Sequence, residues 1–197
     1  MTISTIVPAA DTYVYDQTPN TAADQGSTVA KLLVGFNGRD VAGEWRSWVR
    51  FDLSAITAGS TINSATLRVH VYFSDTSSTY GSQDIGAYRS TDITWAETIT
   101  WNTQPSSNGT ATYDIWFDSS SNWDHDFIVT SDVAAALSTG GVSWVIKSVA
   151  IGQYSDFYQW KMQDDDYTVG PPAQQRSQLI VDWTAPSGFK SQTVFIM

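Results

Sequence analysis

WRSWVRFDLSAITAGSTINSATLRVHVYF, residues 45–73, decides the fold. Val49, Phe51 and Leu53 alternate with Trp48, Arg50 and Asp52. After a turn-rich link, Ala65, Leu67, Val69, Val71 and Phe73 alternate with Thr66, Arg68, His70 and Tyr72. Alternation of this length predicts half-buried strands with one face on a core and the other in water. A slip of one residue would carry Arg68 and His70 into that core, so the register is tightly specified. Trp48, Arg50, Arg68, His70 and Tyr72 then fall together on an outer face, provided that the two strands share a sheet.

Around this pair the chain reads as more strands. Thr2–Val7, Thr12–Tyr15, Val29–Phe36, Asp84–Arg89, Thr112–Phe117, Val142–Val149 and Leu179–Trp183 are apolar or alternating and bounded by Gly, Pro, Asn and Asp. Tyr154–Met162 is aromatic and ambiguous. One short helical signal runs over Val133–Leu137, with Thr130 or Ser131 as candidate cap and Gly140 past its end. Composition agrees. Eighteen Asp stand against Glu44 and Glu97 alone, there are only four Lys and six Leu, and Ser plus Thr reach about a quarter of the chain. Helix formers are scarce and turn and strand formers abundant. The expectation is all-β: an antiparallel, jelly-roll-like β-sandwich with one short helix, a single domain over 1–184, and a linker with an apolar tail over 185–197.

The order of motifs resembles the DNRLRE-type domain. The resemblance rests on Asp11-Thr12-Tyr13-Val14, GSTVAKLLVG (26–35), WRSWVRFDLSAI (45–56), TINSATLRVHVY (61–72), TDITWAETITWNTQP (91–105), DFIVTSDVAAAL (126–137) and SQLIVDW (177–183). Before the last strand, Gln175-Arg176-Ser177 stands where that family usually carries Arg-Pro. The resemblance implies a jelly-roll sandwich similar to carbohydrate-binding modules, found on secreted and cell-surface proteins. It does not imply an enzyme.

A net charge of −10 argues against nucleic acid as partner and against an anionic membrane surface. It also weighs against an anionic polysaccharide, unless Arg39, Arg46, Arg50, Arg68 and Arg89 cluster. No apolar run approaches the ~20 residues of a spanning helix, so no membrane insertion is expected. With no cysteine, neither a disulfide framework nor a thiolate metal site is available. The only histidines are His70 and His125, and no nucleophile elbow is present, which leaves Ser–His chemistry without its parts. Glu97, between Trp95 and Trp101, is the one acid with aromatic neighbours in sequence. It is either a raised-pKa glycosidase acid or a structural contact near a sheet edge.

Two further groups invite ligands. Asp164, Asp165 and Asp166 offer hard oxygen donors to a structural Ca²⁺, or else form a solvated acidic loop. The chain is otherwise expected to carry no cofactor. Nine Trp and nine Tyr exceed what a core of this size needs, and aromatic plates beside Arg and His suit the C–H faces and hydroxyls of sugars. The face of Trp48, Arg50, Arg68, His70 and Tyr72 is therefore the candidate glycan site; the alternative is a face covered by a loop or by a neighbouring subunit. The tail residues Phe189, Val194, Phe195 and Ile196 are candidates for docking on another copy of the chain or back on its own sandwich. With no export signal visible in residues 1–10 and no catalytic partner domain, the first expectation is a non-catalytic surface module of a virus or phage virion, a decoration or tail-associated part. Its partners would be its own copies or other virion proteins. A polysaccharide-binding module of a secreted or cell-surface protein is the second expectation, and a glycan-processing enzyme the third.

Overall fold

The computed structural model describes residues 1–22, 31–37, 43–76, 83–111, 113–117, 123–149, 158–163 and 177–187. Within them the chain is a mostly antiparallel β-sandwich with one short helix. The strands are β1 (Thr2–Ile6), β2 (Ala10–Tyr15), β3 (Lys31–Asn37), β4 (Gly43–Asp52), β5 (Thr61–Thr76), β6 (Gln83–Ser90), β7 (Tyr113–Phe117), β8 (Trp123–Ile128), β9 (Gly141–Ser148), β10 (Tyr158–Gln163) and β11 (Gln178–Thr184). One sheet runs β1-β11-β5-β8 and the other β2-β4-β9-β6-β7; β3 and β10 pair with each other and join β4 to β5 at one end. The two strands of the decisive stretch are therefore the spines of opposite sheets.

The predicted alternation holds on their inner faces. Val49 and Phe51 of β4 meet Ala65, Leu67, Val69 and Val71 of β5, with Phe127, Val142, Trp144, Ile146, Leu179 and Val181 filling the space between. Phe51 and Trp144 pack edge to face, 6.0 Å between ring centroids. A one-residue shift of either spine would replace this set with charged side chains, which is why the register is unambiguous.

Helix α1 (Thr130–Ala136) lies against β5 and β9, and Val133 and Ala136 contribute to the core. A 3₁₀ turn, Leu137–Thr139, follows, and Gly140 ends it at φ 77°, a conformation open to glycine at little cost. The expected cap is not made: Val129 occupies the cap position without a side-chain bond. The Thr130 hydroxyl is engaged elsewhere, accepting the Ala65 N–H at 3.0 Å, which ties the helix start to β5. Asp132, buried in the first turn, accepts the indole N–H of Trp144 at 2.7 Å.

β8 escaped the sequence reading, and β10 falls in the stretch 154–162 that it left ambiguous. WDHDFI of β8 alternates, but Trp and two Asp in six residues mask the apolar set.

The bond between Trp144 and Asp132 couples the helix to the core, and its acceptor is a carboxylate. Replacing Trp144 with Phe removes it, and such bonds contribute about 1.5–3 kcal/mol. The urea midpoint of Trp144→Phe should fall correspondingly with the slope unchanged, whereas an unaltered midpoint would show that the bond contributes nothing net.

Candidate functional site

The proposed outer face does not exist as one surface. Trp48 and Arg50 belong to β4, Arg68, His70 and Tyr72 to β5, on opposite sides of the sandwich.

On the β4 side the alternation was read correctly but its environment was not. Trp48 points away from the main core, yet it is only 1 % exposed. Residues 91–111 cross over this face, and Trp95, Ile99 and the half-buried Trp101 pack with Ala10, Val14, Trp48, Tyr88 and Val145 into a second apolar cluster. Trp95 meets Trp48 edge to face at 6.1 Å and donates its indole N–H to Ser143 at 2.8 Å. Arg50 clasps the same cover: one terminal N–H reaches the Ile93 carbonyl at 2.9 Å, and the guanidinium lies 5.6 Å from the Trp95 ring. Trp48 is a core residue, and no sugar can stack on it without lifting this cover. Glu97 contributes to the same attachment by accepting the Asp11 backbone N–H at 3.2 Å.

On the β5 side the partners come from β8. The register sets Arg68 opposite Asp126 and His70 opposite Asp124. Arg68 makes a two-pronged bond to Asp126, both arms 2.7 Å, and His70 Nδ1 lies 2.9 Å from Asp124. His70 is only 8 % exposed. The ladder satisfies its own polar groups, in the manner of cross-strand pairs, and the half-exposed Arg68–Asp126 pair adds about 1 kcal/mol or less. The side chain of Tyr72 lies outside the described residues, as do Asp164, Asp165, Asp166 and the tail residues Phe189, Val194, Phe195 and Ile196. The arginines do not form one cluster: Arg46 and Arg50 share the β4 outer face while Arg68 is on the other sheet.

Two features that the linear reading missed lie at opposite ends of β4. At its start, Trp45 and Tyr15 stack face on face, 4.7 Å apart and 9° from parallel, because the β2–β4 register sets them opposite each other. Both rings are half buried. Gly43 makes room for this: a Cβ there would come within 2.7 Å of the Tyr15 ring. Burial, above all, and the neighbouring Asp16 raise the Tyr15 pKa, so its hydroxyl stays protonated. On the other face of the strand Arg46 grips Glu44 with two bonds, 2.8 and 2.6 Å, and stands 4.2 Å above the Trp101 ring. The pairing of Tyr15 with Trp45 needs the strand register; no spacing within the chain reveals it.

At the end of β4 a cavity of about 210 Å³ opens between Ala9, Arg50, Phe51, Asp52, Ile93, Gly140 and Gly141. The carboxylates nearby are firmly ionised. Asp52 is held below the usual aspartate range first by the backbone N–H of Ser54, at 2.8 Å, with a contribution from Arg50. Asp92 is lowered likewise, first by the backbone N–H of Thr94, at 2.8 Å, then by its hydroxyl. Among the described residues no three His, Asp or Glu side chains converge as a metal site.

A lowered folded-state pKa means stability that is present above the unfolded value, near 4, and lost as pH falls through the folded value. Asp92→Ala should therefore lower the urea midpoint at about pH 7, and the gap to the parent should close towards about pH 2. A gap that stayed constant with pH would show that the ionised carboxylate is not its source.

The cover over β4, the aromatic pair and the cavity all fall within a segment that matches a known family. The model of carbohydrate-binding module family 96 matches residues 2–165 of the 197. The curated proteins compared include no match to this chain. No helix among the described residues is long and apolar enough to cross a membrane. With the match spanning β1 to β10 on a mostly antiparallel sandwich, the chain belongs to carbohydrate-binding module family 96.

Proposed function

We propose that this protein is a non-catalytic module that binds a polysaccharide outside the cell, on a secreted or cell-surface protein. The observation that carries this is the family match across residues 2–165. The DNRLRE-type resemblance of the motifs agrees with it. The virion role expected from the sequence finds no favouring observation in the fold or the family.

The binding surface in this reading is the end of the sandwich where β2, β3 and β4 meet. The Tyr15–Trp45 stack is a rigid aromatic plate whose two members lose little conformational freedom on binding, because each already restrains the other. Glu44, Arg46 and Trp101 lie on the opposite face of the same strand end and fix its position. Aromatic plates take the C–H faces of sugar rings by dispersion and loss of apolar hydration. The net charge of −10 favours a neutral polymer over a polyanion.

The test is calorimetric titration and affinity electrophoresis with neutral polysaccharides and, beside them, polyanionic ones. The parent should bind at least one neutral polymer. Trp45→Ala should weaken that binding by about 2 kcal/mol, near thirtyfold, with far-ultraviolet dichroism unchanged. Binding to polyanions only, or undiminished binding by Trp45→Ala, would overturn this reading of the surface.

A further inference from the structure

The cavity at the end of β4 lies away from the Tyr15–Trp45 plate and has its own chemistry. It is lined by the apolar residues Ala9, Phe51 and Ile93, by the side-chain-free Gly140 and Gly141, and by Arg50 and Asp52, which supply the polar groups. At about 210 Å³ it is smaller than the ~300–1,000 Å³ of a drug-sized site. One sugar ring fits that scale; an oligosaccharide does not.

Arg50 is the unusual group. Arg50 is half buried: its Nε–H is shut from solvent and has no acceptor in the structure, one terminal N–H is bonded to the Ile93 carbonyl, the guanidinium lies against the Trp95 ring, and its charge acts on Asp52 and Asp92. Clamping the cover accounts for the side of Arg50 that faces Ile93 and Trp95, and the same residue also lines the hollow. Asp52, exposed and ionised, stands two residues along the same face of β4. A fixed donor beside a fixed carboxylate acceptor matches two adjacent hydroxyls of a pyranose. One hydroxyl accepts from the guanidinium and the other donates to the carboxylate. The glycines matter to access. Gly140 has φ 77° and nothing within 4 Å of where a Cβ would stand, and at Gly141 a Cβ would close to 3.2 Å from Ile93 Cδ1.

We infer that the hollow bounded by Arg50, Asp52, Ile93, Gly140 and Gly141 is a second carbohydrate site, which takes a single neutral pyranose with two adjacent hydroxyls, presented as a free sugar or a chain end. It rests on the carbohydrate-binding reading of the module but not on the Trp45 surface. Its consequence is bivalency: the plate takes a stretch of polymer and the hollow takes an end.

The experiment follows the Arg50 Nε–H and the Gly140 and Gly141 amides by ¹H–¹⁵N correlation spectra while glucose, galactose, mannose or xylose is added. The proteins are the parent, Trp45→Ala, Asp52→Asn and Ala9→Phe. Ala9 is exposed and keeps its backbone bond to the Arg50 carbonyl in any variant, so Ala9→Phe fills the hollow from its rim without disturbing the clamp. The expected result is a saturable shift of all three resonances by at least one sugar. Asp52→Asn should weaken it about tenfold, Ala9→Phe should abolish it, and Trp45→Ala should leave it unchanged. If no sugar moves these resonances, or if both hollow variants bind as the parent does, the second site is overturned. Polysaccharide binding by the parent in that same case would keep the module reading intact; absence of all binding would remove both.

Discussion

The structure depends on β4 being buried on both faces. Val49 and Phe51 belong to the core between the sheets, and Trp48 belongs to a second core under residues 91–111. A strand with a tryptophan facing water would leave a large apolar area hydrated, and covering it at ~25 cal/mol per Å² is a strong drive. The cover has no regular strand or helix of its own over residues 91–111, so its backbone and side-chain bonds must be found individually. Arg50 to Ile93, Trp95 to Ser143, Ser90 to the Ser106 carbonyl and Glu97 to Asp11 supply them. Among the described residues the cover adds a third layer outside the β4 sheet.

That asymmetry separates structure from binding. Residues given to the cover are committed to packing, and those at the two ends of β4, where the cover stops, keep accessible aromatic and charged groups. The opposite sheet carries its polar groups as a self-satisfied ladder, Arg68 paired with Asp126 and His70 hydrogen-bonded to Asp124. Removing water from that ladder would gain a ligand little, because each of these side chains already has its partner.

Alternation within residues 45–73 was enough to place the inner face of both spines, and Gly140 marked the helix end. The same alternation could not say that Trp48 is covered, since the covering residue Trp95 lies far along the chain and a turn-rich segment carries no periodicity. Trp48, Arg50 and Asp52 look alike as outward positions; burial grades them from core to rim to solvent. Arg68 and His70 were read as available because β8, which brings Asp124 and Asp126 to them, shows no clean apolar set. The Tyr15–Trp45 stack and the Arg50 hollow depend on strand register and on backbone turns, neither of which is a property of local sequence.

β11 enters between β1 and β5, with the Trp183 indole donating to Ser4 at 3.0 Å. Among the described residues β1 has no other strand partner. During synthesis, then, β1 leaves the ribosome ahead of the other described strands and is among the last of them to find its place. One edge of β5 also stays open until residues 178–184 emerge. The polar outer residues of β5, Ser64, Thr66 and Arg68, keep that waiting edge unattractive to other chains. The second sheet and its cover lie wholly within earlier-made chain, so the half of the molecule that bears both candidate sugar surfaces can assemble before the half that closes it.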